Sequence, residues 1–145
     1  MSKAISNKNV ADAKFAPAPF DGPFKAALGR PELKGSWLIF GKSGSGKTTF
    51  ALQLAKYLTR FVDKVAFDSL EQGLSLSMQK AWKRVDMAAA GSKVIFLDKE
   101  SLPELRDRLS KRKSPNVIII DSVICLVGMR LADYQKLMND YPNKL

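Results

Sequence analysis

The chain contains no histidine and a single cysteine, Cys125. Without histidine, Ser-His-Asp and Cys-His catalysis and histidine-ligated metal centres are excluded. One thiol excludes an internal disulfide framework and a cysteine-cluster zinc site. No apolar run approaches the roughly 20 residues of a membrane-spanning helix. Residues 1–20 also lack the apolar core of a secretory signal. A cytoplasmic location without a membrane partner is therefore the expectation. Acidic residues are few: 14 Asp and Glu stand against 24 Lys and Arg, a formal net charge of +10. That excess suits a polyanionic partner, nucleotide or nucleic acid, and it equally suits a solvated basic surface.

What is present is a chain of 145 residues, 46% hydrophobic, enough for one domain with a single core. Residues 1–31 differ from the rest. They hold Pro17, Pro19, Pro23 and Pro31, four of the seven prolines, with Phe15, Phe20 and Phe24 spaced between charged and small residues. The segment reads as an extended arm laid on a surface.

Residues 32–145 alternate strand and helix patterns. The apolar run Ser36–Phe40 predicts a strand. Phe50, Leu54, Leu58 and Phe61 give one face of a helix over Lys47–Arg60. Lys64–Phe67 is a short strand, followed by a helix whose inward face is Leu74, Met78, Ala81, Trp82 and Val85. Val94–Leu97 is a third strand. Ser101 and Glu104 form a capping box for a helix that turns Leu102, Leu105 and Leu109 inward. Val117–Ile120 is the most β-branched strand, and Leu131, Tyr134, Met138 and Tyr141 mark a last helix ending near Pro142. Continuous apolar strands separated by helices predict an α/β fold, a parallel sheet with helices on both faces.

The chemistry is concentrated in Gly41-Lys42-Ser43-Gly44-Ser45-Gly46-Lys47-Thr48, which fits G-x-x-x-x-G-K-[ST] and is followed by Thr49 at the start of a helix. Glycines let such a loop curl so that its N–H groups converge on phosphate oxygens. The helix adds the positive end of its dipole. Lys47 can reach the β- and γ-phosphates and the Thr48 hydroxyl can ligand Mg²⁺. Val117-Ile118-Ile119-Ile120-Asp121 is a Walker B pattern: a buried strand delivers Asp121 to the sheet edge, where it can hold Mg²⁺. Hydrolysis of a phosphoanhydride also needs a carboxylate to hold the attacking water. Glu71, in Ser69-Leu70-Glu71-Gln72-Gly73, is one candidate; Asp68 competes, and an ordinary surface glutamate is the plain alternative.

Other signals are weaker. Arg106, Arg108, Lys111, Arg112 and Lys113 read chiefly as a solvated helix end favoured by the dipole, although they suit a nucleic-acid backbone too. Trp82 reads as core, and Cys125, in the apolar run Val123–Val127, as an inert buried thiol.

Three stretches, Phe40–Leu54, Asp68–Leu74 and Val117–Ser122, together resemble the RecA-like P-loop ATPases. The nearest flavour is the DnaB, KaiC and RadA branch, including small phage and mobile-element ATPases of AAA type. The resemblance implies ATP and Mg²⁺ as cofactors, Lys47 and Thr48 on phosphate and metal, Asp121 on metal, and Glu71 as the base that polarises water. It also implies a ring or filament of like subunits and a role on DNA, in recombination, replication or phage genome handling. In RecA-like folds the strand that follows Walker B inserts between the Walker A and Walker B strands. That strand, the γ-phosphate sensor, the DNA-binding loops and the arginine finger would all lie beyond Leu145. The expectation is a sheet with an unfilled slot: a gap, a collapse of its two walls together, or a strand donated by a partner. Two other readings stay open. A small-molecule phosphotransferase shares the loop but needs an acceptor pocket and an arginine-rich lid, and no clear lid segment is visible. A nucleotide-gated binding module would bind ATP without turnover.

Overall fold

The computed structural model describes residues 3–126 and 128–145. Val127, the end of the apolar run after Asp121, lies outside the described residues. The chain divides into two compact units, residues 1–32 and 33–145.

In the first unit the segment is not extended throughout. Two short helices form, α1 (Asn7–Ala11) and α2 (Gly22–Leu28). Ser6 caps α1 by accepting the Asn9 N–H, and Pro23 sits in the first turn of α2, where its missing N–H costs nothing. Phe20 is buried, Phe24 half-buried and Phe15 exposed.

The second unit is built on three parallel strands, β1 (Val65–Ser69), β2 (Val94–Leu97) and β3 (Val117–Asp121), in the order β2-β1-β3. Val65 stands opposite Val94 on one side and Val117 on the other. All five residues of central β1 are buried, which is why its sequence shows no polar alternation. Helix α3 (Lys47–Leu58) buries Ala51, Leu52, Leu54, Ala55 and Leu58, a wider face than its sequence stripe. Helix α4 (Leu76–Arg84) places Trp82 edge-on to Phe67 and Phe96, with centroids 6.2 and 5.5 Å away. Phe67 and Phe96 are register partners, so α4 covers that face. On the opposite face, Ala66 and Leu97 pack with Leu105 of α5 (Leu102–Ser110) and with Leu126. Ser101 and Glu104 form the expected capping box. Helix α6 (Leu131–Asp140) closes the chain. No helix among the described residues is long and apolar enough to cross a membrane.

Three expectations change. Ser36–Phe40 does not join the sheet: no ladder forms there, and Leu38 and Phe40 are 75% and 84% exposed. A strand exists only with a neighbour to pair with, and the position beside β3 is held instead by the last two residues. Leu145 accepts the Ile118 N–H and donates to Asn116 O, while Lys144 O accepts the Gly35 N–H. Among the described residues no strand follows β3; a 3₁₀ turn, Val123–Cys125, follows instead. Second, Leu74 lies outside α4 and is exposed, because Ser75 caps the helix by accepting the Met78 N–H. Third, Cys125 is only half-buried, and its neighbour Ile124 is exposed.

Asp68 is the one charge-bearing side chain among the described residues that β1 carries into the interior. It is fully buried: Oδ1 accepts the Glu100 N–H at 3.0 Å, and Oδ2 has no partner. Burial pushes its carboxyl from the ordinary 3.8 up to about 6, opposed by the Glu100 N–H; Glu100 and Glu104 add to the rise and Arg108 works against it. Between those two values the folded chain holds a proton that the unfolded chain has lost. Raising the pH through this window therefore removes stability. Asp68→Asn cannot titrate, so the variant should gain on the wild type between about pH 4 and pH 6.5, by about 2–3 kcal/mol. Denaturant melts of both proteins at the two ends of the window measure this, and an unchanged difference would contradict the burial of a titrating Asp68.

Candidate nucleotide site

The loop between residues 40 and 47 takes its shape from glycine. Gly44 and Gly46 have φ of +75° and +84°, in the left-handed region that side chains avoid. Gly46 is also the N-cap of α3, and it brings no side chain to cap the first turn. The opening N–H groups of a helix have no partner within the helix, so an uncapped N-terminus is suited to an anion. Lys47 folds across the loop: its ammonium donates to Gly41 O at 3.0 Å and Lys42 O at 2.8 Å. The Ser45 N–H closes a turn onto Lys42 O. Residues Gly41, Lys42, Ser43, Gly44, Ser45 and Gly46 are all exposed, with Lys47, Thr48 and Thr49 half-buried in the first helical turn.

The second part comes from β3. Its last residue, Asp121, accepts the Thr48 hydroxyl at 2.8 Å through Oδ2, so the two sequence motifs are in direct contact. The main-chain carbonyl of Asp121 accepts two further bonds, from the N–H groups of Leu70 (2.8 Å) and Glu71 (3.1 Å). The loop after β1 therefore starts at Asp121, and Glu71 leaves the main chain there with an exposed side chain. Ser69 is the register partner of Asp121, fully buried, and its hydroxyl has no partner. Register partners in adjacent strands share a face, so this hydroxyl is on the Asp121 side of the sheet. A carboxylate, two hydroxyls and an unsatisfied buried oxygen among them form a hard-oxygen donor set of the kind that suits a hydrated divalent cation. Among the described residues no cluster of three His, Cys, Asp or Glu side chains could hold a metal alone. One carboxylate beside a phosphate loop is the sparser arrangement typical of Mg²⁺ sites that the substrate completes.

The two carboxylates left open by the sequence are separated. Asp68 is one residue before Ser69, so alternation turns it to the other face, where it meets the loop after β2. Glu71 is beside Asp121; Asp68 is not. The sequence missed what holds that second loop. Glu100 is ion-paired to Arg108, which raises the arginine's affinity for its proton, and Asp98 accepts the Leu74 N–H. The only sequence signal is four polar residues, Asp98 to Ser101, after an apolar strand.

The basic cluster on α5 is largely paired. Arg108 binds Glu100, Arg106 binds Asp140, and Lys111 binds Asp107 four residues earlier. Tyr57 and Phe61 pack edge to face at 5.2 Å with the Arg60 guanidinium over both rings.

Comparison with known proteins agrees with this geometry. The DNA repair and recombination protein RadB of Methanosphaera stadtmanae is 31% identical over 102 residues, 66% of this chain and 44% of RadB. The chain thus spans less than half the length of that curated relative. No solved structure matches it. Residues 37–143 match the family described as ATPase family associated with various cellular activities (AAA), from the lead-in of the phosphate loop to the end of α6. With a glycine-shaped loop, its lysine and a Thr–Asp contact to β3 inside that match, the chain belongs to the AAA family of P-loop ATPases.

Proposed function

We propose that the chain binds Mg-ATP between the loop Gly41–Thr49 and Asp121, and hydrolyses it by in-line attack of water on the γ-phosphate. The 2.8 Å contact between Thr48 and Asp121 carries this reading, because it brings the phosphate loop and the carboxylate strand to one point. Lys47 and the loop amides would take up the negative charge that develops on the phosphoryl oxygens. Lys47 must first leave the Gly41 and Lys42 carbonyls, a weak and exposed attachment. Thr48 and Asp121 would hold Mg²⁺, which when bound neutralises charge on the β- and γ-phosphates. Ser69 would hold one of the water molecules of the cation. Glu71 would orient the attacking water: its main chain is fixed on Asp121 and its carboxylate is exposed to solvent.

The wider reading is of an ATPase that works on DNA as a ring or filament of like subunits. Support comes from the net charge of +10 and from the similarity to a protein whose name places it in DNA repair and recombination.

Lys47→Ala should weaken ATP binding by about 100-fold or more, read by calorimetry or by titration of a fluorescent ATP analogue with Mg²⁺ present. Thr48→Val keeps the shape of the helix turn but leaves Asp121 without its partner. It should cost about 1 kcal/mol in the nucleotide-free protein, and the Mg²⁺-dependent part of ATP affinity should disappear. Glu71→Gln should keep ATP affinity within about threefold and lower turnover at least 100-fold. Phosphate release that survives this substitution would remove Glu71 from the mechanism.

A further inference from the structure

We propose that Asp98, at the end of β2, is a positioning residue for Glu71, acting through the loop that joins β1 to α4. The inference rests on the reading of Glu71 as the residue that holds the attacking water.

That loop is clamped at both ends. At its start, the Leu70 and Glu71 N–H groups bond to Asp121 O. At its end, Leu74 donates its N–H to Asp98 Oδ1 at 2.9 Å. Between them the Gly73 N–H returns to Ser69 O at 3.0 Å and closes the turn that contains Glu71. Gly73 has φ of +62°, and a Cβ on it would stand 2.7 Å from Asp98 Oδ1 and 2.6 Å from Lys99 Cε. The backbone angle favours glycine here, and a side chain would press on the Asp98 carboxylate, the acceptor at the point where the two loops meet.

The other side of the clamp shows strain. Lys99 has φ of +59°, a left-handed conformation that a lysine adopts only when its neighbours hold it there. They do: Asp98 is bound to Leu74, and Glu100 donates its N–H to buried Asp68. Glu100 is tied in turn to Arg108 on α5. The strained residue turns Asp98 back toward Gly73 while Glu100 stays fixed to the core. Glu71 is thus suspended between Asp121, on the nucleotide side, and a carboxylate anchored to the core through a second loop.

The test uses the full chain with Asp98→Ala, Asp98→Asn and Glu71→Gln. Amide hydrogen exchange at residues 70–74 reads the clamp. Affinity for Mg-ADP–aluminium fluoride, which mimics phosphate with its attacking water, reads the position of Glu71; affinity for Mg-ATP serves as the reference. Asp98→Ala should speed exchange at these residues. It should also weaken the fluoride complex about tenfold while ATP affinity stays within about twofold. In turnover, kcat should fall with KM for ATP unchanged. Asp98→Asn keeps an oxygen acceptor and should restore all of these readouts most of the way. Wild-type exchange in Asp98→Ala overturns the proposal. So does equal fluoride-complex affinity in wild type and Asp98→Ala, including failure of both to bind it. Full turnover in Glu71→Gln, with fast exchange in Asp98→Ala, instead removes the base assignment and leaves the clamp in place.

Discussion

Everything near the nucleotide site converges on Asp121. Its carboxylate takes the hydroxyl of Thr48, and its carbonyl takes two N–H groups from the loop after β1. One residue thus joins the phosphate loop, the central strand pair and the segment that carries Glu71. Its own place is fixed by the β1–β3 ladder, whose register sets Asp121 opposite Ser69. The ladder in turn runs the whole length of β1, whose five residues are all buried. The chemistry at the edge inherits its geometry from the packing of the middle of the sheet.

Charge is handled differently at the edge and on the flanks. On α5, arginines and lysines meet acids within a few residues or across to α6, so their charge is spent locally. In the phosphate loop, the Lys47 ammonium is met by two carbonyl dipoles and, among the described residues, by no carboxylate. Carbonyls hold an ammonium weakly compared with a polyphosphate, so the lysine is kept in place without being neutralised. Asp68 shows the cost of the reverse arrangement. A carboxylate buried with one oxygen unsatisfied takes up protons more readily than one in water.

What was legible in the sequence was what short-range chemistry determines. The glycine positions of the phosphate loop, the Ser101–Glu104 cap and the β-branched run into Asp121 each specify local structure by themselves. The helices on both faces followed from the unbroken apolar strands. Ser36–Phe40 was misread because a strand is a property of two segments, and no stretch of five residues states who its neighbour is. Leu74 was assigned to a helix face because periodicity takes no account of a cap, and Ser75 starts the helix after it. Asp68 and Glu71 differ in place: Asp68 is on the face of β1 away from Asp121, while Glu71 follows the strand and bonds its N–H to Asp121 O. That depends on register with β3, fifty residues away in the chain. The Asp98–Leu74 contact was invisible for the same reason, since it joins two loops that meet only once β1 and β2 are aligned.

The segment Ser36–Phe40 runs directly into the first glycine of the phosphate loop, yet no ladder fixes its backbone. A polypeptide that paired alongside it would order the same stretch that a bound triphosphate must order. Whichever arrives first spares the other part of that entropic cost, and such a benefit is mutual by thermodynamic necessity. Pairing alongside this segment and nucleotide occupancy of the loop would then favour each other.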